Sequence, residues 1–541
     1  MLAQTKNYDE LVRNFHWRIP RLYNMGVDAS DRHADGSGRL ALIYVDEDNR
    51  SQHYSFDDIR NLSNRLANVL LAHGLIRGDR VGVLLPQMPE TAISHLAAFK
   101  AALISIPLFT LFGQEALEHR LANSGAKAVV TDAAGASKLL AIVGRLPHLL
   151  RIYVVGEDHE QPSDNNMVVG FNDAVRSASD RFSPIATSSE DPALIIYTSG
   201  TTGNPKGALH AHRVLLGHLP GVELAHDFPP QPGDLYWTPA DWAWIGGLLD
   251  VLLPAWHHGI PVLAHRARKF DPDAAMVLMA EHGVRNAFLP PTALKMMRQA
   301  NVRNRGVTLR TLASGGESLG GELLDWGRET FGLTINEFYG QTECNLVVGN
   351  NASVFPPRTG SMGKAVPGHD VRIVDETGKE LPPGQAGQIG IRRPDPVMFL
   401  EYWQDPEATL RKYAGDYLLT GDIASQDESG YFRFAGRSDD LITSGAYRIG
   451  PGEIENCLIK HPAVAVAAVV GVPDAIRTER VKAWLVLRPG YSPSDDLAHD
   501  LQEFVRVRLG AHEYPREVAF TDSLPMTTTG KIIRHELRRR G

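Results

Sequence analysis

The sequence predicts an α/β protein in which a large N-terminal part is followed by a small C-terminal α+β unit. Segments with apolar residues at helical spacing alternate with short apolar runs through most of the chain, which is the pattern of helices that cover buried parallel strands. From about Val371 the segments become shorter and are separated by turns, in the stretch VRIVDETGKELPPGQAGQIGIR. This change indicates a smaller β-rich subdomain.

The first clear helix–strand unit lies near the N-terminus. Residues 55–75 have helical apolar spacing that ends at a glycine, and residues 79–87 form an apolar run that predicts a strand. The same alternation recurs in four later segments, HLAAFKAALISIPLF, LANSGAKAVVTD, MVLMAEHGVRNAFLP and LRTLASGG. We therefore expect largely buried parallel sheets.

The last part of the chain contains a cycle of elements of its own. Helices are predicted in GPGEIENCLIKH and DDLAHDLQEFVRVRLG, and strands in AVAVAAVVGVP, RVKAWLVLRPG and REVAFTDSLP. About a hundred residues of this kind can form an independent domain. We place the boundary in the acidic segment Gly436–Asp440, which gives domains at 1–438 and 439–541. That segment is either a solvated turn or, if the two sides must move, a hinge.

Composition and charge narrow the possible functions. The chain has 541 residues, of which 43% are hydrophobic and 22% are charged, so it is long enough for more than one domain. Its formal net charge of -8 and the lack of long basic blocks argue against a nucleic-acid partner. Two cysteines, Cys344 and Cys457, cannot build a disulfide framework, which favours a reducing cytoplasm. The oligomeric state is not predicted.

Signals for a membrane segment or a metal centre are weak. The first residues lack the apolar stretch of a signal peptide, and no uninterrupted apolar run of about 18 residues predicts a membrane span. Two histidine pairs, His210 with His212 and His257 with His258, have no cysteine or acidic ligands at finger-like spacing. We expect satisfied or exposed histidines and no metal site built by the protein alone.

A loop rich in glycines and hydroxyls is the strongest functional signal. The stretch YTSGTTGNPKG, Tyr197–Gly207, follows the apolar run Ala193–Ile196, which predicts a buried strand leading into the loop. Its lysine, Lys206, stands in the wrong register for a Walker loop. Glycines that allow close approach, hydroxyl donors and one cation still suit a polyphosphate. An ordinary polar turn would use the same residue types.

Six short motifs occur in one order and are together far more specific than any single loop. They are TSGTTGNPKG, YGQTE at Tyr339–Glu343, TGD at Thr420–Asp422, GRSDD at Gly436–Asp440, YRIGPGEIE at Tyr447–Glu455 and TGKIIR at Thr529–Arg534. This set resembles the adenylate-forming superfamily, which includes acyl-CoA synthetases, firefly luciferase and the adenylation domains of peptide synthetases. The stretches DPALIIYTSG and PADWAWIGG resemble most the medium-chain and acetyl-CoA synthetase-like members.

The resemblance implies both a fold and a reaction. The fold is a large N-terminal adenylate-forming domain, with two α/β subdomains and a β-rich subdomain, and a small mobile α+β C-terminal domain that carries a catalytic lysine. The implied enzyme is an acid–thiol ligase that joins a small carboxylic acid to coenzyme A through an acyl-adenylate, with ATP and Mg²⁺. Because this chemistry brings two anions together, it requires cations and oriented donors.

The resemblance also assigns nucleotide-binding roles to single residues. Residues that would cradle the β- and γ-phosphates are Thr198, Ser199, Gly200, Thr201, Thr202, Gly203 and Lys206. Residues that would flank the adenine are Gly315, Gly316, Glu317, Glu337 and Tyr339. Residues that would contact the ribose and phosphates from the later motifs are Asp422, Arg437 and Arg448.

Three residues would take part directly in the adenylation step. Thr342 would meet the α-phosphate, and Glu343 would bind Mg²⁺, a hard cation that takes carboxylate and phosphate oxygens together. Lys531 would bridge the acyl carboxylate and the α-phosphate. Simpler interpretations exist for single residues: Glu343 as a helix cap, Asp422 as part of the TGD turn, Lys531 as a solvated cation, and the segment around Glu317 as a helix N-terminus.

The second half-reaction implies a movement of the C-terminal domain, because Lys531 cannot stay on the phosphates while coenzyme A approaches. Asp439 matches the hinge of the superfamily, and Gly445, Ala446 and Tyr447 would line the path of coenzyme A. Relatives commonly have glycine where this chain has Ala446. Either the added methyl group narrows the path, or Gly445 supplies the freedom that is needed.

The acyl pocket is predicted from Trp244, Gly246, Gly315 and Gly340. Acetate-restricted relatives carry tryptophan at the position of Gly340, where the indole closes the pocket, so glycine predicts a medium-chain, branched or aromatic acid larger than acetate. In the alternative, the three glycines serve backbone packing.

Other functions stay open at the level of sequence. A peptide-synthetase module is disfavoured because no aspartate stands at Gly246 and no carrier domain follows Lys531. The remaining alternatives are an adenylating enzyme with another acceptor, a catalytically idle nucleotide-binding relative, and a luciferase-like oxygenase, although no sequence signal specifies oxygen chemistry.

Overall fold

The computed structural model describes the chain except for residues 157–166, 199–204, 268, 318, 438–439, 441, 445–446, 475–477, 510–513, 527–530 and 541. At positions 443, 447, 448, 453 and 478 only the backbone is described. The described residues divide into two compact units. The first unit contains residues 1–357, 363–369 and 393–411, and the second unit contains residues 358–362, 370–392 and 412–541.

The helices are, in chain order, α1 (Tyr8–Asn14), α2 (Met25–Ala29), α3 (Phe56–Ala72), α4 (Pro89–Lys100), α5 (Gln114–Ser124), α6 (Ala133–Ile142), α7 (Phe171–Ser177), α8 (Val214–Ala225), α9 (Ile245–Gly247), α10 (Leu253–His257), α11 (Pro272–His282), α12 (Pro291–Gln299), α13 (Gly321–Phe331), α14 (Pro406–Arg411), α15 (Pro451–Leu458), α16 (Asp495–Arg508) and α17 (Arg534–Arg539). A π-helical turn, Leu248–Leu252, joins α9 to α10. Among the described residues, no helix is both long and apolar enough to cross a membrane.

The strands are, in chain order, β1 (Leu40–Val45), β2 (Ser51–Ser55), β3 (Arg80–Leu84), β4 (Ile104–Pro107), β5 (Ala128–Asp132), β6 (Arg151–Val155), β7 (Val168–Gly170), β8 (Pro192–Thr198), β9 (Lys206–Ala211), β10 (Tyr236–Trp237), β11 (Val262–His265), β12 (Asn286–Phe288), β13 (Thr311–Gly315), β14 (Asn336–Gln341), β15 (Cys344–Gly349), β16 (Lys364–Ala365), β17 (Val371–Val374), β18 (Gly387–Arg392), β19 (Glu401–Tyr402), β20 (Tyr413–Ala414), β21 (Tyr417–Gln426), β22 (Phe432–Arg437), β23 (Ile442–Ser444), β24 (Tyr447–Ile449), β25 (Val464–Asp474), β26 (Thr478–Leu487) and β27 (Glu517–Phe520).

Two large sheets build the first unit. One has nine strands in the order β16-β15-β14-β13-β12-β10-β11-β1-β2, and the other has eight in the order β19-β9-β8-β4-β3-β5-β6-β7. The central strands of both sheets pair in parallel, whereas β2, β15, β16, β9 and β19 join in antiparallel fashion near the edges. The predicted α/β class with buried parallel sheets is confirmed.

Helix α3 illustrates how the sequence produces this alternation. The Ser55 hydroxyl accepts a hydrogen bond from the Asp58 N–H at 3.1 Å, and the Asp58 carboxylate accepts one from the Ser55 N–H at 2.9 Å. This reciprocal pair is a capping box that fixes the start of the helix. The helix then buries Phe56 and Leu66, and the buried strand β3 follows. Both elements lie where the sequence predicts them.

A single apolar core joins the two sheets of the first unit. Helix α4 lies in this core, with every residue from Pro89 to Lys100 buried except Glu90. The same cluster contains Leu194 from the eight-stranded sheet and Val262 from the nine-stranded sheet. Such a helix is buried on all sides because neither of its faces meets water, and its polar residues Ser94, His95 and Lys100 are buried with the apolar ones.

The second unit contains the β-rich part and the C-terminal elements. Strands β17-β18-β21-β20 form one sheet, with β22 on β21, and β24-β23-β26-β25 form another, with β27 on β26. Helices α15 and α16 and strands β25, β26 and β27 lie in the segments that predict them. The domain boundary predicted after residue 438 falls in a stretch outside the described residues and stays a prediction.

Candidate active site

The phosphate-binding sequence lies between two antiparallel strands. Strand β8 is buried at Ala193–Ile196, as predicted, and strand β9 begins at Lys206. Thr198 pairs with Lys206, and the Thr198 hydroxyl lies 3.4 Å from the Lys206 carbonyl oxygen. The predicted loop residues Ser199, Gly200, Thr201, Thr202 and Gly203 lie outside the described residues. The two ends of the loop therefore stand side by side at the end of an antiparallel strand pair.

A tyrosine connects this loop to the predicted magnesium ligand. Strand β19 extends the sheet beside β9, with Tyr402 opposite Ala208. The Lys206 ammonium lies 5.4 Å from the centroid of the Tyr402 ring, and the Tyr402 hydroxyl donates a hydrogen bond to the Glu343 carboxylate. Lys206 and Glu343 therefore both contact Tyr402. The contact of Lys206 is an attraction between its ammonium group and the face of the Tyr402 ring.

Glu343 lies in the turn of the β14–β15 hairpin. Gln341 pairs with Cys344, so Thr342 and Glu343 form the turn itself. The Glu343 carbonyl accepts a hydrogen bond from the Phe399 N–H at 2.9 Å, and its carboxylate is buried against Tyr402. Backbone and side chain are therefore both fixed by one segment, and the alternative of a helix cap is wrong.

The predicted adenine segment surrounds a buried carboxyl group. Glu337 on β14 accepts a hydrogen bond from the Leu319 N–H at 3.1 Å, and burial raises the pKa of its side chain to about 8. Gly316 has φ +101, and a Cβ atom there would meet nothing within 4 Å, so a ligand can approach its backbone closely. Glu317 accepts from the Lys295 ammonium at 3.0 Å.

That segment also precedes a helix, as the simpler interpretation had it. Gly320 is the N-cap residue of α13, which begins at Gly321. Tyr339 lies half-buried on β14, opposite Val348. A structural role as a helix start and a role beside adenine are compatible, because Gly316 precedes the helix by several residues.

Two of the predicted pocket glycines are also required by close packing. A Cβ atom at Gly340 would lie 2.1 Å from the backbone nitrogen of Leu346, and one at Gly315 would lie 2.5 Å from the ring of Phe338. Both distances are far below contact distance, so the packing alternative holds for these positions whatever else they do. At Gly246 the nearest atom would be a ring carbon of Phe288 at 3.1 Å.

Aromatic rings link the predicted pocket residues. The rings of Phe288 and Phe338 are 5.3 Å apart, so the surroundings of Gly246 and Gly315 are continuous. Trp244 is half-buried and packs edge-on against Phe109, with the ring centroids 5.7 Å apart. The structure therefore gathers apolar rings and side-chain-free positions in one region of the first unit.

The second unit carries the predicted ribose residues on adjacent strands. The TGD motif lies within strand β21, and Asp422 pairs with Arg437 of β22, whose guanidinium is 3.5 Å from its carboxylate. The Asp422 N–H donates to the Thr420 hydroxyl at 3.1 Å. Asp422 is nearly buried, whereas the Arg437 side chain is 40% exposed, so the pair has an accessible side.

Lys531 lies exposed just before a short helix whose start is tied down by ion pairs. Arg534 at the start of α17 contacts the Glu455 carboxylate of α15 at 2.8 Å and the Asp440 carboxylate at 3.5 Å. Arg538 reaches Asp440 at 3.0 Å. Among the remaining predicted residues, Asp439, Gly445 and Ala446 lie outside the described residues, and Tyr447 and Arg448 are described only by their backbone in β24.

The histidine pairs differ in part from expectation. His257 contacts Asp28 at 2.6 Å, His258 contacts Glu223 at 3.2 Å, and His212 accepts from a backbone N–H. His210 is fully buried and, within the described part of the chain, neither ring nitrogen has a hydrogen-bond partner. The expectation of a satisfied or exposed side chain is wrong for His210, because burial on β9 removes it from water and lowers its pKa to about 3.

The described residues contain no group of three histidine, cysteine, aspartate or glutamate side chains that could hold a metal ion. An Mg²⁺ ion that arrives with ATP needs fewer protein oxygens, because phosphates and water complete its shell. The buried Glu343 carboxylate, oriented by Tyr402, fits such an ion. When bound, the ion would neutralise phosphate charge.

Sequence reasoning missed Tyr402, and also Asp250 and Asn345, which lie beside the pocket glycines. The Asn345 amide donates to the Asp250 carboxyl at 2.7 Å, and both residues are buried. Tyr402 acts through β19, which joins a sheet formed by much earlier parts of the chain. These residues reach the site only through contacts between distant parts of the chain, so no local sequence pattern could have predicted them.

Comparison with known proteins places the chain in a family. The model for AMP-binding enzymes matches residues 30–403, and the model for the AMP-binding enzyme C-terminal domain matches residues 453–531. Acetyl-coenzyme A synthetase of Bacillus subtilis (strain 168) is 35% identical over 550 residues, which cover 98% of this chain and 95% of the relative. The mitochondrial acyl-coenzyme A synthetase ACSM3 of Mus musculus is 34% identical over 549 residues, which cover 99% and 93%.

A solved structure agrees with these relatives. The anthranilate CoA ligase AuaEII, in complex with anthranoyl-AMP, matches with a TM-score of 0.86 at 28% identity, over 96% of this chain and 98% of that chain. The protein therefore belongs to the AMP-binding enzyme family. It is an AMP-forming acyl-CoA synthetase, an acid–thiol ligase that uses ATP, Mg²⁺ and coenzyme A and passes through an acyl-adenylate. The resemblance drawn from the six motifs is confirmed.

Proposed function

We propose that this acyl-CoA synthetase activates a medium-chain, branched or aromatic acid larger than acetate. The observation that supports the proposal is the lining predicted for the acyl pocket, where Gly246 projects no side chain beside Phe288 and the rings of Phe288 and Phe338 lie 5.3 Å apart. Apolar rings around side-chain-free positions favour an apolar acyl group, because burying its surface is favourable by about 25 cal/mol per Å².

Overall similarity does not decide the chain length. The relative named for acetyl-coenzyme A and the one named for acyl-coenzyme A are 35% and 34% identical to this chain. The proposal therefore depends on the pocket. Gly315 and Gly340 support it only indirectly, because close packing against Phe338 and Leu346 already requires glycine at these positions.

In the first unit we assign the phosphate and metal chemistry to Lys206 and Glu343. Lys206 and the loop from Thr198 bind the β- and γ-phosphates, Thr342 meets the α-phosphate and Glu343 binds Mg²⁺. The proximity of Lys206 and Glu343 to Tyr402 supports this assignment. Attack of a carboxylate on the α-phosphate brings two anions together, so preorganised cations lower the barrier.

In the second unit we assign ribose binding to Asp422 and Arg437, and adenylation to Lys531. The near-burial of Asp422 beside Arg437 supports a preformed site for two hydroxyl groups. Lys531 neutralises the charge that develops between the carboxylate and the α-phosphate. The domain boundary after residue 438, with Asp439 as hinge, belongs to the same proposal, as does the path of coenzyme A along Gly445, Ala446 and Tyr447.

The test is a panel of carboxylic acids assayed for AMP release with and without coenzyme A. The panel runs from acetate through butyrate, hexanoate and isobutyrate to benzoate. The proposal predicts a higher kcat/KM for at least one larger acid than for acetate, and AMP release that depends on coenzyme A. Highest efficiency with acetate would refute the proposed substrate class, and the absence of AMP release with every acid would indicate a catalytically idle relative.

A further inference from the structure

A buried polar pair stands in the otherwise apolar region of the predicted acyl pocket. Asp250 lies in the π-helical turn Leu248–Leu252 and is 2% exposed, and Asn345 lies on β15 and is 5% exposed. The Asn345 amide donates a hydrogen bond to one carboxyl oxygen of Asp250 at 2.7 Å. π-Helical turns inside helices occur frequently at functional sites.

The pair lies against two of the side-chain-free positions. A Cβ atom at Gly246 would be 3.5 Å from Oδ2 of Asp250, and one at Gly340 would be 2.6 Å from Oδ1 of Asn345. Gly246 also adjoins Phe288, whose ring belongs to the apolar lining. The polar pair therefore lies directly beside two of the positions predicted to line the acyl pocket.

Each residue of the pair has one polar atom left over. Within the described part of the chain, Oδ2 of Asp250 and Oδ1 of Asn345 take part in no hydrogen bond, although both residues are more than nine-tenths buried. Neither oxygen is among the fully buried side-chain atoms that lack a partner, so each keeps some accessible surface through which a ligand can pair with it. Such atoms beside a predicted binding pocket indicate a ligand that supplies their missing hydrogen-bond partners.

The charge state of Asp250 decides what that ligand is. Burial raises the pKa of the Asp250 carboxyl well above its usual value, and the hydrogen bond from Asn345 opposes this only in part. A neutral carboxyl group donates through its free oxygen, while the amide oxygen of Asn345 accepts. A hydroxyl group matches both, since it accepts one hydrogen bond and donates another.

We propose that Asp250 and Asn345 determine specificity by binding a hydroxyl group on the acyl chain, so that the enzyme prefers a hydroxylated acid to the plain acid of the same length. The inference rests on the proposed pocket for acids larger than acetate. A site built to bind a hydroxyl rejects the analogue that lacks it, because the buried groups then stay unpaired. A purely structural pair, which only ties the π-helical turn to β15, would not discriminate.

The experiment compares matched acids on the full-length enzyme. Butyrate, hexanoate and benzoate are each assayed beside derivatives with a hydroxyl at successive positions, by the rate of pyrophosphate release. We expect at least one hydroxylated acid to exceed its plain partner about tenfold or more in kcat/KM. Equal or lower efficiency for every hydroxylated acid would overturn the inference, as would a preference for the matching amino acids, which would require an ionised Asp250.

Variants of Asp250 and Asn345 distinguish a role in substrate specificity from a purely structural role. In Asp250→Leu, and in the double variant Asp250→Leu/Asn345→Leu if the single one does not fold, the ratio of kcat/KM for the hydroxylated acid to that for the plain acid should fall towards one. The matched control is Asn351→Ala, which removes a different buried amide whose Nδ2 donates to the Leu224 carbonyl at 2.9 Å. The control should keep the preference. An equal loss for both acids in the Asp250 variants would assign the pair a structural role only.

Failure of this inference is distinct from failure of the proposed function. If plain acids larger than acetate are good substrates but hydroxyl groups bring no gain, the pocket proposal stands and the role of Asp250 is wrong. If acetate is preferred to every larger acid, plain or hydroxylated, both are wrong.

Discussion

Two charged side chains of the first unit are oriented by an aromatic residue instead of by opposite charge. Among the described residues, neither Lys206 nor Glu343 forms an ion pair, although both contact Tyr402. An ion pair between them would neutralise the charges that phosphate and Mg²⁺ need. A tyrosine can fix both positions and leave the charges available, because it offers a ring face to the cation and a hydroxyl to the carboxylate.

Removing the Tyr402 hydroxyl should therefore weaken Mg²⁺ binding more than it lowers the stability of the fold. Tyr402→Phe keeps the ring under Lys206 but leaves the Glu343 carboxylate without that donor. We expect the Mg²⁺ concentration for half-maximal adenylation to rise about tenfold or more, since a hydrogen bond to a charged group contributes about 1.5–3 kcal/mol net. Pyrophosphate release measured against Mg²⁺ concentration checks this.

The matched control for that variant is Tyr8→Phe. Tyr8 also places a ring beside a lysine, 4.7 Å from the Lys364 ammonium, and its hydroxyl donates to the Ala365 carbonyl at 2.7 Å. It should leave the Mg²⁺ dependence unchanged. An identical Mg²⁺ dependence in wild type and Tyr402→Phe would show that Tyr402 does not orient Glu343.

The buried Glu337 carboxyl predicts a dependence of stability on pH. Its pKa is about 8 in the folded protein against an ordinary value of 4.5, because burial disfavours the charged form. As pH rises through this window, only the unfolded chain releases the proton, so the free energy of unfolding falls. Glu337→Gln should remove this loss, which is at most about 1.4 kcal/mol per pH unit.

The measurement is the melting temperature of wild type and variant from pH 5 to pH 8. As pH increases, the melting temperature of Glu337→Gln should rise relative to that of wild type. Glu317→Gln serves as control, because Glu317 is half-exposed beside Lys295 and should show no such trend. A constant difference between wild type and Glu337→Gln would mean that Glu337 is ionised throughout.

At the scale of elements, the β14–β15 hairpin controls the geometry of Thr342 and Glu343. Its strands approach so closely that a Cβ atom at Gly340 would lie 2.1 Å from the Leu346 nitrogen, whereas one at Gly349 would have its nearest neighbour at 3.5 Å. The two glycines belong to the same hairpin but differ in the space around them. This contrast allows a matched test.

Gly340→Ala should distort the hairpin and reduce both stability and adenylation. Overpacking of this kind costs about 1–3 kcal/mol, and the displaced turn would move Glu343 away from Tyr402. Gly349→Ala should be tolerated. Chemical denaturation gives the free energies of unfolding, and pyrophosphate release gives the activity. Equal behaviour of the two variants would contradict the close approach at Gly340.

Single helices and strands could be predicted from the sequence, whereas the pairing of distant strands could not. The alternation of apolar segments correctly predicted α3 and β3, and in the second unit α15, α16 and β25, because helical and strand periodicity are local properties. The pairing of β19 with β9, or of β1 with β11, could not be predicted, since it depends on contacts between distant parts of the chain. Motif order indicated most of the proposed site, but Tyr402 and Asp250 enter it only through such contacts.

At the scale of the whole molecule, the proposed chemistry is divided between the two units. Lys206 and Glu343 belong to the first, and Asp422, Arg437 and Lys531 belong to the second. With the proposed hinge at Asp439, Lys531 is the one of these five groups that would be withdrawn between the half-reactions, because the other four precede the hinge. The ion pairs of Arg534 with Glu455 and Asp440 fix the segment that follows Lys531.

Lys531→Ala should abolish the first half-reaction and spare the second. Losing one preorganised donor lowers the rate by about 10²–10³, whereas thioester formation from supplied acyl-adenylate should stay within about twofold. Both rates are measured by rapid quench. Lys460→Ala, which removes another exposed lysine of the second unit, should affect neither. Equal loss of both half-reactions would contradict the division of labour.

The central claim is that an acid larger than acetate is activated as its adenylate and then transferred to coenzyme A. Its most direct test is a single-turnover experiment with wild-type enzyme, ATP, Mg²⁺ and either acetate or the best larger acid. We predict that the larger acid gives more enzyme-bound acyl-adenylate, and that added coenzyme A accelerates its decay into acyl-CoA despite Ala446. Normal pyrophosphate release without accelerated decay, or accumulation of adenylate from acetate alone, would contradict the account.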